Sequence, residues 1–197
     1  QGESGVTPAT KEFLKGLKAL CKKHNALLFF DEIQCGVGRT GAFLACQRYG
    51  VKPDGVSMAK GIAGGFPMGA IWLDDKCSDL FTAGSHGTTF GGNPVCCAGA
   101  VNILSRIDDR LLEGVRERSD YLRRTLQAAP GIRSVTGMGL MLGLEIDIPA
   151  REFAERALRE GVLVTTAKQK IRLLPALNIP MELLKTAAQA LVHCAAE

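Results

Sequence analysis

Apolar residues at Phe13, Leu14, Leu17, Leu20 and Cys21 recur at the three- and four-residue spacing of a helix that runs to about His24. Thr7-Pro8 predicts its start, a capping residue followed by proline at the first helical position. The pattern then changes. Ala26 to Phe30 is an unbroken apolar run ending in Asp31-Glu32, as in a strand buried on both faces of a parallel sheet. A glycine-rich loop follows from Gly36 to Gly41. Gly55 to Ala59 and Met68 to Leu73 read as short strands, separated by Gly61-Ile62-Ala63-Gly64-Gly65-Phe66-Pro67. Gly84 to Pro94 is a polar loop, and helical stretches run from about Val95 to Ile107 and from Asp109 to Ala129. In the second, Leu111, Leu112, Val115, Leu122 and Leu126 form an apolar face opposite abundant Arg and Glu.

Beyond Ala129 the elements become shorter. Ile132 to Val135 and Leu140 to Ile146 read as strands joined through Gly137-Met138-Gly139, and Ala150 to Glu160 as a helix with Phe153, Ala157 and Leu158 inward. Val162 to Thr165 and Ile171 to Leu174 predict two more strands, and Met181 to Ala195 a last helix. Strand, strand, helix, strand, strand, helix describes a small α+β unit. The domain boundary is expected inside the helical region, giving residues 1–105 and 106–197. No internal repeat is visible.

Composition narrows the class. Of 197 residues 46% are hydrophobic and 22% charged, so an ordinary globular core is expected. The net charge of +4 is scattered, with no basic stripe interleaved with aromatics, which leaves nucleic-acid binding without support. Seven cysteines with no C-x-x-C pair fit structural thiols in a reducing compartment better than disulfides or a zinc site. No apolar run approaches 18 residues, so a cytoplasmic protein with no membrane partner and no bound metal is expected. Gln1-Gly2-Glu3-Ser4-Gly5 has no initiating methionine and reads like the middle of a loop, which predicts a segment before it.

Three segments carry candidate chemistry. Asp31-Glu32 after an apolar strand fits either a magnesium-holding carboxylate of an ATPase or a carboxylate at the carboxyl edge of a parallel sheet, where open α/β proteins bind ligands. The ATPase reading needs a G-x-x-x-x-G-K-[ST] loop, and the chain contains no Gly-Lys pair. Lys60 closes Val56-Ser57-Met58-Ala59 and precedes a glycine turn. Burial there would favour the neutral amine, the form that attacks an aldehyde. Ser85-His86-Gly87-Thr88-Thr89 offers hydroxyls and backbone amides suited to a phosphate.

Five motifs in order extend these observations. They are Phe29-Phe30-Asp31-Glu32-Ile33-Gln34 with Gly36-Val37-Gly38-Arg39-Thr40-Gly41, then Ser57-Met58-Ala59-Lys60-Gly61 with Gly64 to Ala70, and His86 to Pro94. The opening Gln1-Gly2-Glu3 and Ile171-Arg172 with Pro175 complete the set. Together they resemble the class III (subgroup II) aminotransferases, which use pyridoxal 5'-phosphate, and within them the acetylornithine and ornithine branch. The resemblance implies the second half of the large mixed and parallel-sheet domain of fold-type-I pyridoxal-phosphate enzymes in residues 1–105, and a small C-terminal α+β domain in 106–197.

The resemblance also implies roles. Lys60 is the catalytic residue, which holds the cofactor covalently and then moves the proton between Cα and C4′. Asp31 pairs with the pyridine nitrogen and keeps it protonated, and Gln34 meets the phenolic oxygen. Thr89 binds the cofactor phosphate of the neighbouring subunit in a homodimer. Arg172 forks the α-carboxylate of glutamate or 2-oxoglutarate, and Glu3 pairs with Arg172 when the other amino donor is bound. The implied reaction takes N-acetylornithine and 2-oxoglutarate to N-acetylglutamate semialdehyde and glutamate, in arginine biosynthesis. Ornithine, succinylornithine and 4-aminobutyrate are the donors of related enzymes. Two departures stand out: Ser4 where many relatives have glycine, and Thr136 where arginine is common. The family's phosphate cup, its ring-stacking aromatic and the residues gripping the distal end of the substrate are expected upstream of Gln1. A catalytically silent C-terminal fragment that needs a separate N-terminal half is the alternative reading.

Overall fold

Thr10 caps the first helix of the computed structural model. Its hydroxyl accepts the Phe13 N–H at 3.1 Å, and α1 runs Lys11–Lys23. The expected start at Thr7-Pro8 is too early, because only a side chain directly before Lys11 reaches an orphan donor of the first turn. β1 is Phe29–Asp31, shorter than the apolar run suggested. Leu28 is held instead by Asp54, whose N–H donates to the Leu28 carbonyl and whose Oδ2 accepts the Leu28 N–H, both at 2.7 Å. A helix that the pattern did not predict, α2 at Ala45–Tyr49, closes on Gly50 in the left-handed conformation. β2 (Gly55–Met58) pairs parallel with β1, Phe29 beside Gly55 and Asp31 beside Ser57. β3 (Ala70–Leu73) runs antiparallel to β2. Phe29 and Asp31, two residues apart, point to the same face of this three-stranded sheet and are exposed, where burial on both faces was expected. Short 3₁₀ turns occupy Lys60–Ala63 and Asp75–Leu80. α3 (Pro94–Leu104) starts at Asn93, whose side chain accepts from the N–H groups of Val95 and Cys96. A small core of Val37, Ile62, Ala63 and Ala100 joins α3 to the Lys60–Ala63 turn.

The charge that ties this unit together is Asp54. It is only 2% exposed, and it accepts from Lys18 Nζ at 2.5 Å and Lys76 Nζ at 2.7 Å as well as from Leu28. Burial pushes its carboxyl up, but the hydrogen bonds from the two ammonium groups and the buried N–H outweigh this, and the pKa lies well below the usual carboxylate range.

The C-terminal residues build a second sheet. α4 (Asp109–Gln127) is followed by the hairpin β4 (Ile132–Met138) and β5 (Met141–Ile146). Gly137, at φ 113°, is obligatory there: a Cβ would lie 2.0 Å from the Met141 carbonyl oxygen. Then come α5 (Ala150–Arg159), β6 (Thr165–Ala167), β7 (Lys170–Leu173) and α6 (Met181–Ala196). β6 starts at the residue where the expected strand Val162–Thr165 ended. The all-antiparallel order is β4-β5-β7-β6, and one face packs Leu142, Leu144 and Ile171 against Leu126, Phe153 and Leu184 of the helices.

The structure describes residues 1–196, the side chain of Ser78 excepted, and they fall into two compact units. Thr10–Gly38 and Ala42–Asp109 form one; Gln1–Ala9, Arg39–Gly41 and the residues from Arg110 onward form the other. A single cut at 105/106 does not describe these groups, since two earlier segments belong with the C-terminal sheet. Among the described residues no helix is long and apolar enough to cross a membrane.

Candidate functional site

The parallel pairing of β1 and β2 puts their carboxyl ends at one edge. Asp31 is the last residue of β1 and Ser57 is its partner; Lys60 follows Ser57 by three residues and opens the 3₁₀ turn. Asp31 is exposed, and its Oδ1 accepts the Ile33 N–H at 3.0 Å, which fixes the carboxylate against the start of the next loop. Lys60 adopts φ 52°, a left-handed conformation uncommon for a residue with a side chain. It is exposed, so the burial expected for it is not found: the turn lifts it off the end of the strand.

Gln34 lies in the loop that begins at Asp31, and Glu32 anchors that loop. The Glu32 carboxylate is buried and accepts the N–H groups of Ala45 at 2.5 Å and Cys46 at 2.8 Å, at the start of α2. Gly36 fits over it with no room for a Cβ, which would lie 2.8 Å from the Glu32 carbonyl oxygen. Burial, and then the Glu32 charge, push the thiols of Cys35 to about 11 and Cys46 to about 12. Thr89 is exposed in the loop between the 3₁₀ turn Asp75–Leu80 and α3, and the Ser85 hydroxyl of the same loop donates to the Thr82 carbonyl at 2.6 Å.

Glu3 and Arg172 meet in the other unit. Arg172 sits in β7 with its side chain 13% exposed, and its Nη1 donates to Glu3 Oε1 at 2.7 Å. Its Nε lies 3.4 Å from the hydroxyl of Thr165 on β6. A planar guanidinium of this kind can hold a carboxylate through two parallel N–H···O bonds.

The family model for class-III aminotransferases matches residues 1–195. The chain belongs to that family. Acetylornithine aminotransferase of Haemophilus ducreyi is 41% identical over 199 residues, covering 100% of this chain and 51% of the relative. Succinylornithine transaminase of Citrobacter koseri is 44% identical over 192 residues, covering 92% of this chain and 47% of the relative. Among solved structures, an ornithine aminotransferase from Toxoplasma gondii superposes with a TM-score of 0.92 at 31% identity, over 99% of this chain and 48% of its own. That structure carries partially occupied pyridoxal phosphate at its active site. An acetylornithine aminotransferase from Elizabethkingia anophelis gives a TM-score of 0.90 at 33% identity, over 99% of this chain and 52% of its own. The chain therefore spans about half the length of the curated relatives it matches.

Three supporting residues escaped the sequence reading of this class-III chain. Glu32 looked like the second half of an acidic pair, and its role as a cap depends on where α2 begins. Arg39 read as one more residue of a glycine-rich loop. It is half-buried, which lowers its pKa by desolvation, and its guanidinium donates to the carbonyls of Pro175 at 2.5 Å and Leu140 at 3.2 Å. Thr136 stands out along the chain only as a departure; its hydroxyl donates to the Val6 carbonyl at 2.8 Å.

Proposed function

We propose that this chain is the part of a pyridoxal-phosphate-dependent aminotransferase that holds the cofactor-bearing lysine and the glutamate-binding arginine. The activity is transfer of the amino group of N-acetylornithine to 2-oxoglutarate, in arginine biosynthesis. The single observation that carries it is the pairing of β1 and β2, which sets a carboxylate and a primary amine at one carboxyl edge. This donor set suits the cofactor: a carboxylate for a pyridinium N–H, an amide for a phenolic oxygen, and an amine for an aldehyde. Bound there, the cofactor would supply the electron sink that stabilises negative charge on the amine-bearing carbon.

Each residue then has a task. Asp31 holds the ring nitrogen protonated, Gln34 orients the ring, and Lys60 Nζ takes and returns the proton of the amine-bearing carbon. Arg172 forks the α-carboxylate of 2-oxoglutarate, and Glu3 neutralises Arg172 while the donor is bound. In a homodimer Thr89 serves the cofactor phosphate of the other copy. Residues 1–105 supply the cofactor-binding domain, apart from Gln1–Ala9 and Arg39–Gly41, which group with the C-terminal sheet; 106–197 supply the small domain, and the protein acts in the cytoplasm. Succinylornithine is the second donor to test, because a relative named for it matches as well as the acetylornithine enzymes do.

Titration with pyridoxal phosphate, borohydride reduction and peptide mapping test the assignment. A saturable adduct on Lys60, lost in Lys60→Ala, is expected. Full transamination by Lys60→Ala would sink it.

A further inference from the structure

The segment that carries Glu3 is held in an unusual way. It turns tightly, with the N–H groups of Gly5 and Val6 donating to the Gly2 carbonyl at 3.1 and 3.3 Å. It ends on Val6, buried at φ 61°, a conformation that a β-branched residue adopts only when its surroundings impose it. Those surroundings are one row of residues across the C-terminal sheet. Thr136 on β4 pairs with Gly143 on β5, Gly143 pairs with Arg172 on β7, and Arg172 pairs with Thr165 on β6.

Three members of the row, Thr136, Gly143 and Arg172, touch the segment. The Thr136 hydroxyl donates to the Val6 carbonyl at 2.8 Å, with the Gly143 carbonyl farther off at 3.4 Å. Gly143 leaves the space that the Gly5 carbonyl fills, since a Cβ there would lie 2.2 Å from its oxygen. Lys170, two residues before Arg172, runs its methylenes beneath Gly5. At the end of the row Arg172 takes Glu3 itself.

We infer that Thr136 is a positioning residue for Glu3, and that it sets how strongly the Glu3 carboxylate competes with a substrate dicarboxylate for Arg172. The inference rests on the roles of Glu3 and Arg172 given above. A carboxylate pinned beside the guanidinium loses little freedom on pairing, so an incoming carboxylate must displace a pre-organised competitor. Without the Thr136 hydroxyl the segment can relax away from its strained turn at Val6. Glu3 then pairs less often and dicarboxylates bind more readily. Selection between the two unlike substrates weakens in the same proportion.

The test uses the holoenzyme with Thr136→Val, which removes the hydroxyl and keeps the shape, and Thr136→Ser, which keeps the hydroxyl. Affinity for glutarate, a dicarboxylate that cannot react, is measured by calorimetry beside the KM for 2-oxoglutarate. Loss of one hydrogen bond to the segment predicts a gain of roughly fivefold in both for the valine variant. The serine variant should stay near wild type. The gain should vanish when Glu3→Gln is already present, because no charged competitor remains. Exchange of the Gly5 and Val6 amides should quicken in the valine variant, a readout that needs no turnover.

Unchanged glutarate affinity in Thr136→Val, or a gain that persists in the Glu3→Gln background, overturns the inference. Wild-type protein that binds glutarate through Arg172 but transfers no amino group overturns the proposed activity alone, and the glutarate and exchange measurements still decide the role of Thr136. Wild-type protein that does not bind glutarate overturns both.

Discussion

Replacing Asp54 by asparagine should cost about 2–3 kcal/mol at pH 7, on the order of one or two charge-assisted hydrogen bonds. Three donors converge on the carboxylate: Lys18 Nζ, Lys76 Nζ and the Leu28 N–H. Asparagine keeps one acceptor oxygen, which can still serve the buried N–H. Its amide nitrogen must then face an ammonium group, and both charged bonds lose their partner. The side chains of Lys18 and Lys76 are 36% and 50% exposed, so water screens each pair and neither ion pair carries the larger share of the cost. The remainder of the cost is the mismatched donor at a buried site. The assay is urea unfolding followed by the fluorescence of Trp72, which is the single tryptophan of the chain and lies in the same unit as Asp54. With a slope of about 1–3 kcal/mol per molar urea, the midpoint should fall by roughly 1 M.

The effect has a definite pH dependence. Folding lowers the pKa of this carboxyl, so the unfolded chain takes up the proton first as the solution is acidified. The stabilisation is complete above the unfolded value of about 4 and drains away as pH falls below it. The asparagine side chain binds no proton, so the gap between wild type and the Asp54→Asn variant should stay constant from about pH 5 to 8 and narrow below about pH 4. Equal midpoints at pH 7, or a gap that widens in acid, would refute the reasoning.

Phe153→Ala should destabilise the C-terminal sheet unit by about 3–5 kcal/mol, because the ring is fully buried among Leu142, Leu144, Ile171 and the α4 and α6 faces. Thermal unfolding followed by circular dichroism checks this, and a loss under about 1 kcal/mol would show that the core collapses into the gap. Arg172→Lys keeps the charge and loses the fork, so the KM for 2-oxoglutarate should rise by about tenfold or more; an unchanged KM would remove Arg172 from that role. Cys35 and Cys46, with thiols raised to about 11 and 12, should resist iodoacetamide at pH 8 and react as the pH approaches those values. Mass spectrometry of the alkylated peptides reads this out, and labelling of Cys46 as fast as half-buried Cys96 at pH 8 would contradict it.

Much of this protein was legible along the chain, and the reason is local. Helical spacing over Asp109–Gln127 and Ala150–Arg159 and strand-length apolar runs at Gly55–Met58 and Met141–Ile146 reflect burial of one face, which each segment writes into its own residues. The residues proposed for the site were equally visible, because Asp31, Lys60 and Arg172 each sit in a motif only a few residues long. The start of α1 is ambiguous along the chain because Thr7 and Thr10 lie three residues apart, and only hydrogen bonding to Phe13 chooses Thr10.

What remained hidden is what depends on distant partners. Nothing near Glu32 announces that its carboxylate caps a helix beginning thirteen residues later, and nothing near Asp54 announces Lys18 and Lys76. Thr136 is an ordinary polar residue in a strand until the β4-β5-β7 register lines it up with Gly143 and Arg172 and lays Val6 across it, 130 positions away in the chain. Periodicity records which face of an element is buried. Which strand lies beside which, and which charge is left to meet another, is settled only when the sheet closes its register.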